Sequence, residues 1–253
     1  MEKKYELTDD VIRETGGDGA PAFLYRIKAL RDFECRGTRV HAGDLGGYVE
    51  SEDNLSHEGS CWVFDDAKVY DSAKVYGDAC VLYSAEVSAY AEVYDQAVVG
   101  DYAVVSGLAK VYGIARVFDS GCVLGHSDVS GAACVSGTST VDDSIVSDSV
   151  YITGDSYISK GAVVRGSASV RGDAIIYGDA IVEANGDFIV FHIWWSDKNE
   201  RYTWTRSNNK WNDWHGAITA EEMIAKGYED SPASGKRYEE IVRYVNEIRD
   251  EEQ

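Results

Sequence analysis

Residues 63–81 read Val63-Phe-Asp-Asp-Ala67-Lys-Val69-Tyr-Asp-Ser-Ala73-Lys-Val75-Tyr-Gly-Asp-Ala79-Cys-Val81, three periods of a single pattern. An aliphatic residue returns every six positions, a small residue follows it by four, and a turn pair drawn from Asp, Ser and Gly stands between them. Outward from this stretch the aliphatic series continues without a miss to Val141. It takes one five-residue step, resumes at Val146, and runs through Ile152, Ile158, Val164, Val170 and Ile176 to Val182, making 21 units. A period of six fits neither an amphipathic helix nor a hairpin meander. It fits a chain that lays down a short strand, turns a corner and repeats, which is a parallel β-helix. The aliphatic residue points inward along each flat face and the small one fits where the corner narrows. Gly and Asp supply the backbone freedom of the bend.

If three units close one coil, residues 18 apart stack directly on one another. Lys74, Glu92, Lys110 and Asp128 have that spacing and alternate in sign, as do Lys68 and Glu86, an arrangement favourable between neighbouring strands. Tyr76, Tyr94 and Tyr112 form a second column suited to ring stacking. Read as an exposed aromatic strip, this column is also a candidate surface for self-association into a homo-oligomer. Seven coils at the usual strand spacing give a rod about 34 Å long. Its open ends would invite polymerisation, so caps are expected.

The flanks supply them. Phe23 to Leu30 alternates like a strand and Val40 to Val49 reads as turn and strand, assigning 1–60 to an N-terminal β cap ahead of the β-helix at 61–187. Phe188 to Trp195 and Arg201 to Arg206 read as strands joined by a turn at Asp197 to Glu200. Thr219 with Glu222 forms a capping box for a short helix ending near Gly227. Ser231-Pro232 opens another helix with Tyr238, Ile241, Val242, Val245 and Ile248 on one face. Residues 188–253 are therefore expected to form a small α+β domain.

The aliphatic-x-x-x-small-x pattern resembles the hexapeptide repeat of triangular left-handed β-helices, best known from hexapeptide acyltransferases, over about half the chain. Nearly the full length resembles a group of phage and prophage proteins. This likeness rests on Gly43-Asp-Leu-Gly-Gly-Tyr-Val-Glu50, an Asn54-Leu-Ser56 to Trp62-Val63 entry, Val-Tyr-Gly-Asp-Ala repeats and Trp204-Thr-Arg-Ser-Asn-Asn-Lys-Trp211. The resemblance implies a viral or prophage origin without prescribing an activity.

With 44 acidic against 24 basic residues, the net charge of −20 excludes binding to nucleic acid by broad phosphate neutralisation and attraction to anionic membranes. The 44% of apolar residues excludes simple disorder. No apolar run is long enough for a membrane span or a secretory signal, so the chain reads as soluble and intracellular, in the cytoplasm of a bacterial host. Five cysteines without a CxxC or a zinc-type Cys/His spacing read as free thiols rather than disulfides or metal ligands.

No phosphate-binding glycine motif, catalytic triad, metal or cofactor signature is present. Acyl transfer would require a general base, for which His126 at a corner is the one residue in the repeat of the right type. The coils, however, carry no inserted loop to wall it in. Binding has better candidates. The first corner gathers Asp65, Asp66, Asp101, Asp119, Asp155 and Asp173 on one edge, and residues 61–187 hold 18 acidic against 7 basic side chains, a net of −11. A rigid row of carboxylates could compete with DNA for a basic groove on a host protein, a counter-defence type of inhibition. The tail offers Trp204, Arg206, Asn208, Asn209, Lys210, Trp211 and Trp214 as a second surface, for a protein partner or a nucleotide-type small molecule, although at least half of its tryptophans are needed as core.

Overall fold

A computed structural model describes residues 3–16, 19–195 and 198–251. The repeat forms a triangular parallel β-solenoid of about eight turns with three sheets as its faces. The first face runs from Leu45–Val49 and Lys68–Val69 to Ile175–Tyr177. The second runs from Lys74–Val75 to Ile181–Val182 and the third from Trp62–Val63 to Ser169–Val170. Most rungs lie parallel on the next at a separation of 18 residues, as in Val69 beside Val87 and Val87 beside Val105.

The core follows from the two columns of the repeat. The inward aliphatic residues from Val63 to Val182 and the corner alanines from Ala67 to Ala180 are almost all fully buried in one continuous cluster. Branched side chains fill the flat faces, and mostly small side chains fill the corners, where Ser127, Ser139, Ser144 and Ser156 replace alanine and Cys61 and Val150 are the larger exceptions. The five-residue step falls at the corner Asp142-Asp143-Ser144, which has lost one turn residue, and the register there tightens so that Val129 lies beside Val146.

The coil begins earlier than residue 61. Tyr48 and Val49 pair in parallel with Lys68 and Val69, and Leu55 bridges Val75. An incomplete first turn therefore joins the seven expected coils. Val49 to Leu55 keeps the six-residue step, but the eight residues from Leu55 to Val63 break the period and hide this turn from a periodicity search. It also explains the glycines of the lead-in. A Cβ on Gly46 would lie 2.6 Å from the Val63 carbonyl oxygen and 2.7 Å from Ile27 Cγ1, so only glycine lets the first rung sit against both.

The antiparallel hairpin of Tyr5–Thr15 and Pro21–Ala29 extends the first face beside Leu45–Val49. A second hairpin, Phe33–Cys35 with Thr38–Val40, packs Phe33 edge-on against Trp62 with ring centroids 5.2 Å apart. This hairpin corrects the reading of the cysteines, because Cys35 is disulfide-bonded to Cys80 on the third face. Cys61, Cys122 and Cys134 remain thiols. The pairing joins a cap residue to a rung residue 45 positions later, and nothing in the periodic pattern sets the height at which the hairpin meets the rod.

At the other end, Phe188–Trp195, Lys198–Thr205, Lys210–Asp213 and Gly216–Ile218 form a four-stranded antiparallel sheet. Asp197, part of the turn expected between its first two strands, lies outside the described residues. Helices α1 (Ala220–Asp230) and α2 (Pro232–Glu251) complete this unit. The Thr219/Glu222 capping box is present, but α1 runs past Gly227, where the Tyr238 ring leaves no room for a Cβ. Tyr238 and Val245 of α2 are buried with Trp204, Trp211 and Met223. The last rungs are closed by hydroxyl oxygens of this unit. Thr203 Oγ1 accepts from the Ile175 N–H at 2.8 Å and Ser207 Oγ from the Ile181 N–H at 2.7 Å. Among the described residues, no helix is long and apolar enough to cross a membrane.

Candidate functional site

The acidic edge is the corner between the third and first faces, and two kinds of aspartate occupy it. Asp65, Asp101 and Asp119 sit at the turn position with left-handed backbone, φ 54°, 57° and 57°. Their carboxylates each accept from the backbone N–H of the residue 18 positions on: Tyr83 at 3.1 Å, Asp119 at 3.2 Å and Gly137 at 2.9 Å. The same bond recurs at the other two corners, from Ala89 to Asp71, Gly113 to Asp95 and Gly166 to Asp148. The reason is geometric. The corner N–H points along the rod axis, outside the ladder of rung-to-rung bonds, and a carboxylate one coil below is the acceptor within reach. Asp tolerates the left-handed backbone better than most residues, so one side chain serves both the bend and the stack.

Asp66, Asp155 and Asp173 occupy the next position and belong to the ends of the edge. Arg26 of the N-terminal hairpin reaches Asp66 at 3.6 Å and donates to the Asp65 carbonyl oxygen at 3.1 Å. Arg201 of the C-terminal sheet reaches Asp173 at 2.7 Å and Asp155 at 3.9 Å. Sequence reading missed these two arginines, which lie far from the repeat in the chain. They neutralise the top and bottom of the row and leave Asp101 and Asp119 as its central charges.

Tyr76, Tyr94 and Tyr112 stack as the 18-residue spacing requires, with centroids 4.9 Å apart and planes within 2° of parallel. They are half-buried rather than an open strip. Burial and the Glu92 carboxylate, which accepts from Tyr76 Oη at 2.8 Å, push the Tyr76 phenol well above its ordinary pKa. The more exposed apolar side chains of the rod are Tyr90 and Tyr102, 65% and 70% exposed, at other corners.

The tail motif is mostly a joint. Trp204 and Trp211 are buried core residues, not a ligand face. The indole N–H of Trp204 donates to Asn209 Oδ1 at 2.9 Å, and Arg206 lies over the same ring at 5.9 Å. Asn208 accepts from Thr205 Oγ1 at 2.6 Å and donates to Asp179 of the solenoid at 2.8 Å, while Lys210 N–H donates to Asn208 Oδ1. Trp214 is the exception. It is 52% exposed, with Arg201 over its ring at 5.2 Å and Tyr157 beside it. The side chains of Trp194 and Trp195 lie outside the described ones.

His126 pairs through Nδ1 with Asp143 at 3.2 Å, and its backbone N–H donates to the same oxygen at 2.8 Å. These bonds hold the Asp143 carboxyl below the usual carboxylate range, whereas burial and the charge of Asp143 raise that of Asp142. The His126 side chain is three-quarters exposed. A base so open to solvent lacks the walls that position a substrate and exclude water, so the pair reads as part of the shortened corner.

Concave spaces lie beside the N-terminal cap. One of about 650 Å³ is lined by Glu52, Asp53, His57, Asp71 and Tyr76, and another of about 470 Å³ by Glu50, Asp71, Ala89 and Tyr90. Their carboxylates make both unsuited to an anionic nucleotide. A recess of about 190 Å³ beside Trp214 holds Arg201 and Lys226. It falls below the usual size of a ligand pocket, and both cations are paired, with Asp173 and Asp213. Among the described residues, no cluster of His, Cys, Asp and Glu could hold a metal ion. Fold and site together define an acidic β-solenoid with elements packed at both ends and its charge set at the corners. No family model and no curated protein matches the chain.

Proposed function

We propose that this is a non-enzymatic binding protein of phage or prophage origin, an acidic rod that engages a basic surface on a host protein and blocks it. The observation that carries the reading is the corner row itself. Asp101 and Asp119 stand one rung apart on a backbone fixed by the ladder, within a segment of net charge −11. Repetition at one rung presents carboxylates at a regular spacing without loss of side-chain order, which favours fast, salt-dependent association with a cationic groove. A DNA-handling or defence protein of the host is the partner class that such a row suits. The paired cations of the tail recess and the acidic walls of the larger grooves speak against a nucleotide-type ligand, and the open His126 corner speaks against acyl transfer.

The test is capture from host lysate at low and moderate salt with the wild-type chain and an Asp101→Asn/Asp119→Asn variant, followed by competition with duplex DNA for whatever is captured. Asn keeps an acceptor at each corner while removing charge. The reading expects a basic protein that is released by salt, lost from the variant and displaced by DNA. Capture of none at low salt refutes it.

A further inference from the structure

The residue just ahead of the N-terminal strand is a lysine set into the base of the solenoid. Lys4 is fully buried, and its Nζ lies 2.8 Å from the Cys61 carbonyl oxygen and 3.2 Å from Cys61 Sγ. The remaining hydrogen-bond partner of the amine is the Glu58 carbonyl at 3.5 Å. No carboxylate forms an ion pair with Lys4 among the described residues. A buried ammonium without a counter-ion is costly, and burial accordingly depresses the Lys4 pKa and raises that of the Cys61 thiol.

The position of the cysteine is equally specific. Cys61 stands at the corner site that holds Ala79, Ala97, Ala115 and Ala133 in the coils above. The small slot of the solenoid thus carries one extra heavy atom, at the rung that Lys4 reaches. Higher in the same column Val150 is accommodated as well, so the slot tolerates the sulfur, and what sets Cys61 apart is the amine held 3.2 Å from it.

We propose that Lys4 and Cys61 are a covalent modification site, joined under aerobic conditions by a single oxygen atom in an Nζ–O–Sγ bridge. The reaction takes the neutral amine, the thiol and dioxygen. One N–H and the S–H bond break, the N–O and O–S bonds form, and the second oxygen atom leaves as water with the two hydrogens. Nitrogen and sulfur each give up two electrons, and dioxygen accepts all four. The geometry favours this outcome because the two heteroatoms are held together away from bulk water and from competing thiols. The bridge would staple the first strand to the first complete rung, and thiol reductants would release it.

Intact-mass and peptide analysis of the full chain, purified in air and denatured with an alkylating agent but no reductant, reads the site directly. The expected result is a cross-linked fragment containing Lys4 and Cys61, heavier than its two parts by one oxygen less two hydrogens. It should vanish on reduction, in protein kept anaerobic throughout, and in Cys61→Ala, which restores the alanine of the other coils. The Cys35–Cys80 disulfide is distinguished because it adds no oxygen. Recovery of Cys61 as a free, alkylated thiol from aerobic wild-type protein overturns the proposal. So does Cys61 found as a sulfinic acid or in a disulfide with Lys4 unmodified.

Discussion

The corner aspartates should stabilise the rod, and Asp119 isolates how. Its backbone sits at φ 57° and its carboxylate accepts from the Gly137 N–H at 2.9 Å. Replacement by Ala removes the acceptor and leaves a Cβ-bearing residue in the left-handed region. A hydrogen bond to a charged acceptor contributes roughly 1.5–3 kcal/mol, but at an exposed corner water replaces much of it, leaving about 1 kcal/mol. The left-handed conformation costs an ordinary residue about 1–2 kcal/mol, part of which Asp already bears, so Ala adds about 1 kcal/mol more. Asp119→Ala is therefore expected to lower stability by about 2 kcal/mol. Asp119→Gly loses the bond but relaxes the backbone and should cost about 1 kcal/mol, while Asp119→Asn keeps both an acceptor and the backbone preference and should cost least. Asp128 provides the control, since it lies on a flat strand between Lys110 and Ile145. Urea unfolding of the full chain followed by far-UV circular dichroism gives the order, with the slope checked for constancy. Stability of the Ala variant equal to that of Asn, or a Gly variant below Ala, would refute the account of the corners.

Three further outcomes follow from the same contacts. Reducing or removing the Cys35–Cys80 bridge frees a 45-residue separation and should lower stability by up to about 4 kcal/mol, seen as a fall in midpoint for Cys80→Ser. Leu55→Ala opens the incomplete first turn, where the side chain is fully buried, and should cost about 2–5 kcal/mol in the same assay. The Asp143 carboxyl has a lowered pKa in the fold because it accepts from His126. Its contribution to stability is thus present above the unfolded carboxylate pKa and lost as pH falls through the folded value. In thermal melts across that acid range, Asp143→Asn should be less stable than wild type near neutrality and indistinguishable from it at the acid end.

The class of fold was legible in the chain because it depends on one-dimensional facts. Six residues per face and 18 per coil are counted along the sequence, and the ladders of Val87 with Val105 or Glu92 with Lys110 follow from that count alone. The tyrosine stack and the alternating charges were legible for the same reason, since neighbours in space are neighbours at a constant offset. The incomplete first turn was not, because the eight residues between Leu55 and Val63 break that offset.

What the sequence determined by itself, then, is the repeating interior and the placement of aspartate at the bends, where local backbone preference and translation along one axis suffice. The tertiary structure decided everything that joins segments lacking a common period. It set Arg26 and Arg201 against the two ends of the acidic row, closed the last rungs on the hydroxyls of Thr203 and Ser207, paired Cys35 with Cys80, and brought Lys4 to Cys61. Each of these contacts depends on the height and angle at which an end element meets the rod. Packing in three dimensions sets both, and no spacing along the chain encodes them.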